Sequence, residues 1–135
     1  VWTHGDPNLD NWLVDPHGNL HLVDWGELAL APPERDLFAF TGHRFPAFWE
    51  CYQNARGRLL LRLDAFAFYF YRWTLQEIAD YGTRLLFRTG APSDAAHAWA
   101  QLQHYLPVRH ESIAKELGRL RDALSGSIAT EGNRT

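Results

Sequence analysis

The chain has 135 residues, of which 46% are apolar and 14% aromatic; this is enough for one domain that buries about two-thirds of its unfolded surface, and it excludes a disordered chain. The net charge is −3 and Lys and Arg form no run, so the electrostatic footprint of a nucleic-acid binder is absent. No stretch approaches the roughly eighteen uninterrupted apolar residues of a membrane span, no signal peptide opens the chain, and a lone cysteine, Cys51, fits a reducing cytoplasm.

Val1-Trp2-Thr3 reads as a strand leading into the loop HGDPNLDN, residues 4–11. Trp12-Leu13-Val14 and Leu20-His21-Leu22-Val23 are two further short strands, and the intervening DPHGN is a turn built from Asp, Pro, Gly and Asn. An antiparallel hairpin of this length returns the chain beside its own start, which brings Asp24 near Asn11 and Asp6. Three oxygen-bearing side chains at a strand end can hold a hard cation such as magnesium. With a nucleotide present, one carboxylate is left to work on a hydroxyl proton, and these are the parts phosphoryl transfer needs. Each residue also has a local reading: Asp6 as a turn residue before Pro7, Asn11 as a turn cap, Asp24 as a cap at the end of its strand. None of these explains the three together.

HGDPNLDN resembles the H-x-D-x-x-x-x-N catalytic loop of the protein-kinase-like fold, in the H-G-D form of aminoglycoside phosphotransferases and choline kinases. LVDWGE is similar to the metal-binding D-F-G segment of the same group. The resemblance implies the C-terminal lobe of that fold, mainly α with a small β-hairpin. It makes Asp6 the catalytic base, Asn11 and Asp24 the ligands of Mg²⁺ and through it of ATP, and His4 a residue bracing the loop. It also implies a small-molecule acceptor and a second, N-terminal lobe with the nucleotide-covering loop and a phosphate-binding lysine. Here no glycine-rich phosphate loop occurs, the single lysine is Lys115 in a late helix, and no methionine is present. The chain therefore reads as a catalytic lobe over residues 1–125 that needs the missing N-terminal lobe to bind nucleotide and is inactive alone.

Further along, Glu27 is an extra acid within reach of the site, for metal or cationic substrate, or else a solvated loop acid. Pro32-Pro33 opens a helix whose Glu34 and Asp36 complement the positive end of its dipole; by resemblance, Asp36 hydrogen-bonds the catalytic loop from beneath. The P-x-x-E-R-D-L run and the later YFYRWTLQEIADYGTRLL segment resemble the spectinomycin-phosphotransferase type, which carries an antibiotic-resistance role. A helix from near Pro46 to Gly57 places Phe48, Trp49 and Tyr52 at core spacing, or as a wall where acids such as Glu50 receive a polycationic sugar. The longest helix is expected from about Leu59 to Arg88, apolar all round in its first half. In its second half Arg72 and Glu77 could reach a ligand, although a solvated or ion-paired face is the expectation for them. A helix capped by Ser93 carries the stripe Ala95, Trp99, Leu102 and Leu106 and stops at Pro107. The last helix carries Ile113, Leu117, Leu120 and Leu124, and residues 126–135 form a disordered tail.

The function expected from all this is an ATP-dependent phosphotransferase acting on a hydroxyl of an aminoglycoside- or aminocyclitol-like acceptor. One rival is a truncated, non-catalytic remnant or helical interaction module. Another is a metal-dependent hydrolase using His4, His17 and His21 with zinc or iron, although His17 sits in the turn, away from Asp24.

Overall fold

The computed structural model describes residues 1–57, 59–87 and 91–129. Its elements are β1 (Trp2–Thr3), β2 (Trp12–Val14), β3 (Leu20–Leu22), β4 (Ala29–Leu30), α1 (Glu34–Leu37), α2 (Phe45–Arg56), α3 (Leu63–Leu86), α4 (Pro92–Tyr105) and α5 (His110–Ala129). Single 3-10 turns cover Leu9–Asn11, Trp25–Glu27 and Phe38–Phe40. The fold is mainly α with two small antiparallel strand pairs. Among the described residues no helix is long and apolar enough to cross a membrane.

The hairpin forms where the two-residue periodicity puts it, with Trp12 opposite Leu22, Leu13 opposite His21 and Val14 opposite Leu20. Its turn is closed by Asp15, whose carboxylate accepts from the His17 and Asn19 amides at 2.8 and 2.9 Å. The second pair joins β1 to β4, with Trp2 opposite Leu30 and Thr3 opposite Ala29. β4 has no signal of its own in the sequence: Ala29 and Leu30 become a strand only because β1 lies beside them. This pair closes a loop around the segment from His4 to Leu28. Five apolar side chains on the two pairs stay uncovered: Trp2 and Leu30 on one, and Leu13, Val14 and Leu20 on the other.

Beneath the strands, Leu37, Phe45, Trp49, Phe66 and Leu120 form the buried core. Phe45 stacks on Trp49 and meets Phe66 edge-on, both at 6.2 Å between ring centroids. Burial of rings of this size contributes about 2–3 kcal/mol each. Gly57 ends α2 in a left-handed φ of 83°.

Expectations for three of the helices change. α3 starts at Leu63, not near Leu59, because the buried Glu34 carboxylate takes the backbone N–H of the extended Arg62 at 2.6 Å. Glu34 is thus a tie between α1 and α3 and not only a first-turn acid. The far end of α3 is Leu86; Arg88 lies outside the described residues. The first half of α3 is not apolar-buried all round, since Phe68 is exposed. In α4 the first helical residue is Pro92, which needs no N–H partner; Asp94, not Ser93, closes the turn by accepting from the Ala91 amide at 3.0 Å. The buried row of α4 is Ala98 and Leu102, while Trp99 and Leu106 are exposed. The last helix continues to Ala129, past the point where composition predicts a tail; residues 130–135 lie outside the described ones.

Candidate active site

The loop between β1 and β2 is held from three sides. The Asp36 carboxylate accepts from the backbone N–H groups of His4 and Gly5, at 2.7 and 2.8 Å. His4 is buried; its Nε2 donates to the Val23 carbonyl at 2.8 Å and its Nδ1 accepts from the Asp6 amide at 3.3 Å. One tautomer, with the proton on Nε2, satisfies both bonds. Trp12 Nε1 donates to the Pro7 carbonyl at 3.1 Å, which fixes the far limb of the loop. His4 therefore joins the loop to the end of β3, and Asp36 joins it to α1.

So braced, the loop presents the Asp6 side chain with both carboxylate oxygens engaged. The Asn8 Nδ2 group donates to Oδ1, and the Asn11 Nδ2 group donates to Oδ2 at 3.2 Å and to the Asp6 carbonyl at 2.8 Å. These amide donors fix the carboxylate's direction. They also fix Asn11: with its nitrogen turned to Asp6, its Oδ1 faces the other way.

Asp24 enters from the far strand. The Val23 N–H donates to the Asn11 carbonyl at 2.9 Å, extending the β2–β3 register by one pair, so Asp24 comes directly after the residue opposite Asn11. Asp24 has φ 62° and ψ 62°, the left-handed region, which turns the chain out of the strand into the Trp25–Glu27 turn. Among the described residues its carboxylate has no hydrogen-bond or ion-pair partner. A free carboxylate and an outward amide oxygen at one strand end fit a hard, oxygen-seeking cation that draws its other ligands from phosphates and water. No group of three or more His, Cys, Asp or Glu comes together among the described residues. The zinc or iron hydrolase centre therefore does not form: His17 is exposed in the turn and His21 pairs with Asp15 at 3.2 Å.

A cleft of about 180 Å³ opens on Asp6, lined by Gly5, Glu27 and Arg35 on one side and Phe38 and α3 on the other. Glu27 stands on its rim, ion-paired to Arg35 at 3.3 Å. The buried Arg35 also donates to Thr3 Oγ1 at 2.8 Å and to the Glu27 carbonyl at 2.9 Å. In the sequence, Arg35 carries no signal beyond its place between two acids of a helix start. Glu50 is exposed on α2 and does not line this cleft. The α3 contribution is Tyr69, Arg72, Trp73 and Gln76, so of the two readings of Arg72 the one that reaches a ligand fits its place in the cleft.

A loop whose aspartate is held by neighbouring amides, with a second aspartate at the end of the paired strand, has parts that phosphoryl transfer can use. The pattern of the phosphotransferase enzyme family matches residues 1–69, the loop, the hairpin, α1, α2 and the start of α3. The chain is 36% identical over 106 residues to Protein StrN of Streptomyces griseus, a match covering 78% of this chain and 29% of that protein. No solved structure matches. The chain belongs to the phosphotransferase enzyme family.

Proposed function

We propose that the chain carries the catalytic loop of an ATP-dependent phosphotransferase that acts on a hydroxyl of a small molecule. The observation that carries this is the Asn11 amide: its N–H side holds Asp6, which leaves its oxygen for a cation beside the free Asp24 carboxylate. Asp6 accepts the proton of the acceptor hydroxyl, and the amides of Asn8 and Asn11 aim the carboxylate at it. Asn11 and Asp24 would hold Mg²⁺, which when bound supplies counter-charge to the phosphate oxygens. His4 and Asp36 keep the two strands' contributions in register.

The remaining nucleotide contacts come from sequence outside these 135 residues. The chain spans 29% of Protein StrN, and Trp2, Leu30, Val14 and Leu20 stand uncovered on the strand pairs beside the site, a surface suited to a second lobe. Need for ATP and a free cysteine both fit the cytoplasm.

The test is a coupled ADP-release assay on the intact protein with Mg-ATP. Asp6→Ala should lower turnover by about 10²- to 10⁴-fold, the usual worth of a general base. An Asp6→Ala enzyme that keeps most of its turnover would sink the assignment. A folded intact protein that fails to bind Mg-ATP would make the chain a non-catalytic member of its family.

A further inference from the structure

The cleft beside Asp6 has an uneven charge arrangement. Four charged side chains line it: Asp6, Glu27, Arg35 and Arg72. Three are already committed. Asp6 is held by the Asn8 and Asn11 amides, and Glu27 and Arg35 pair with each other. Arg72 has no hydrogen-bond or ion-pair partner among the described residues. The helix offers it none: the positions three and four away on α3 are Tyr69, Phe68, Leu75 and Gln76. Lower on the same helix the usual arrangement does occur, with Arg84 paired to Asp80 at 2.8 Å. Arg72 is half-buried and lines, with Tyr69, Trp73 and Phe38, the cleft that contains Asp6; an unpaired guanidinium there is placed for a ligand.

We infer that the acceptor carries an anionic group, a carboxylate or a phosphate monoester, that binds the Arg72 guanidinium while its reacting hydroxyl lies at Asp6. This rests on the phosphotransferase reading of Asp6 and narrows it. A guanidinium fork matches two oxygens of either anion, and Gln76 adds an amide donor beside it. Phe38, Tyr69 and Trp73 supply an apolar wall for the body of a ring-sized molecule. A polycation meets the opposite conditions. It would have to approach Arg72 directly, and the acids available are Asp6, needed for the chemistry, and Glu27, already shared with Arg35.

The experiment measures Mg-ATP-dependent ADP release by the intact protein with glucuronate, glucose 6-phosphate, glucose, glucosamine and kanamycin as acceptors. Wild type is compared with Arg72→Gln and Arg72→Lys. The expected result is a kcat/KM at least about tenfold higher for an acidic sugar than for glucose, the worth of one charge-assisted bond. Glucuronate and glucose 6-phosphate separate carboxylate from phosphate recognition. Arg72→Gln should raise KM for the preferred acid by about 10- to 100-fold with a smaller change in kcat, and Arg72→Lys should restore part of it. Equal or better turnover of kanamycin, or an Arg72→Gln enzyme indistinguishable from wild type, overturns the anionic acceptor and leaves the phosphotransferase reading standing. Absence of magnesium-dependent ADP release with every acceptor overturns both.

Discussion

Gly5 and Arg35 approach each other so closely that no side chain fits between them: a Cβ on Gly5 would overlap the guanidinium Nη2 and lie 2.7 Å from Cζ. The same glycine has φ 98°, a conformation L-residues rarely adopt. Both constraints come from the site, since Arg35 is pinned by Thr3 and Glu27 and the Gly5 amide is pinned by Asp36. Gly5→Ala therefore meets strain and overlap at once. It should destabilise the protein by about 2–4 kcal/mol and displace the Asp6 carboxylate next to it. Chemical denaturation and turnover of the intact enzyme would show both losses together. A variant with normal stability would mean that the loop can move away from Arg35 at little cost.

Asp36 bears on the same loop from α1. Its two oxygens separately accept the His4 and Gly5 amides, so Asp36→Asn keeps one acceptor and turns an NH₂ group against the other backbone N–H. The expected cost is about 1.5–3 kcal/mol, the range for hydrogen bonds to a charged group. Because Asp36 positions the loop and touches no substrate in this scheme, kcat should fall with KM for ATP little changed. A variant whose loss lies wholly in KM for ATP would assign Asp36 to nucleotide binding instead.

The parts of this site that were legible in the sequence are local ones. The hairpin announces itself by alternation and by Asp15-Pro16-His17-Gly18, and its length alone sets Asp24 beside Asn11. What stayed hidden depends on chain segments brought together by folding. Glu34 and Arg35 read as charged residues at a helix start, yet both are buried, one tied to Arg62 and the other to Thr3 and Glu27. Arg72 reads as part of a solvated ladder because periodicity reports a face, not what lies opposite it. In α4 the largest apolar residue misleads: Trp99 is 55% exposed while Ala98, next to it, is 1% exposed. A small residue on the facing row lets α4 approach α3, and no hydrophobicity count weights Ala over Trp for that purpose.

The hairpin turn carries the clearest pH signature. The Asp15 carboxyl is lowered to about 2, first by the Asn19 side-chain amide, then by the Asn19 backbone N–H and by His21. A carboxyl whose folded pKa lies below its unfolded value near 3.8 favours the folded turn at every pH above that value. The contribution declines between about 4 and about 2 and is gone below the folded pKa. The side-chain carboxyl carbon shift of Asp15 should therefore titrate with a midpoint near 2. In Asp15→Asn that step should vanish. A midpoint at the ordinary aspartate value would show that the Asn19 bonds do not persist in solution.

Asp24 sets stability against chemistry at one position. At φ 62° and ψ 62° an L-residue is strained by roughly 1–2 kcal/mol, less for Asp and Asn, whose short polar side chains tolerate the left-handed region. Glycine there carries no such strain. Asp24→Gly should therefore unfold no earlier than wild type, and Asp24→Val should be destabilised by about 1–2 kcal/mol. All three of Asp24→Gly, Asp24→Val and Asp24→Asn remove the carboxylate at the end of the hairpin, and all three should weaken binding of Mg-ATP by the intact protein. Thermal unfolding paired with nucleotide titration separates the two effects. If Asp24→Gly bound Mg-ATP as wild type does, Asp24 would be present for the turn and not for the metal. If it is as stable as wild type and has lost Mg-ATP binding, the strained backbone at residue 24 is held for the sake of the carboxylate it aims.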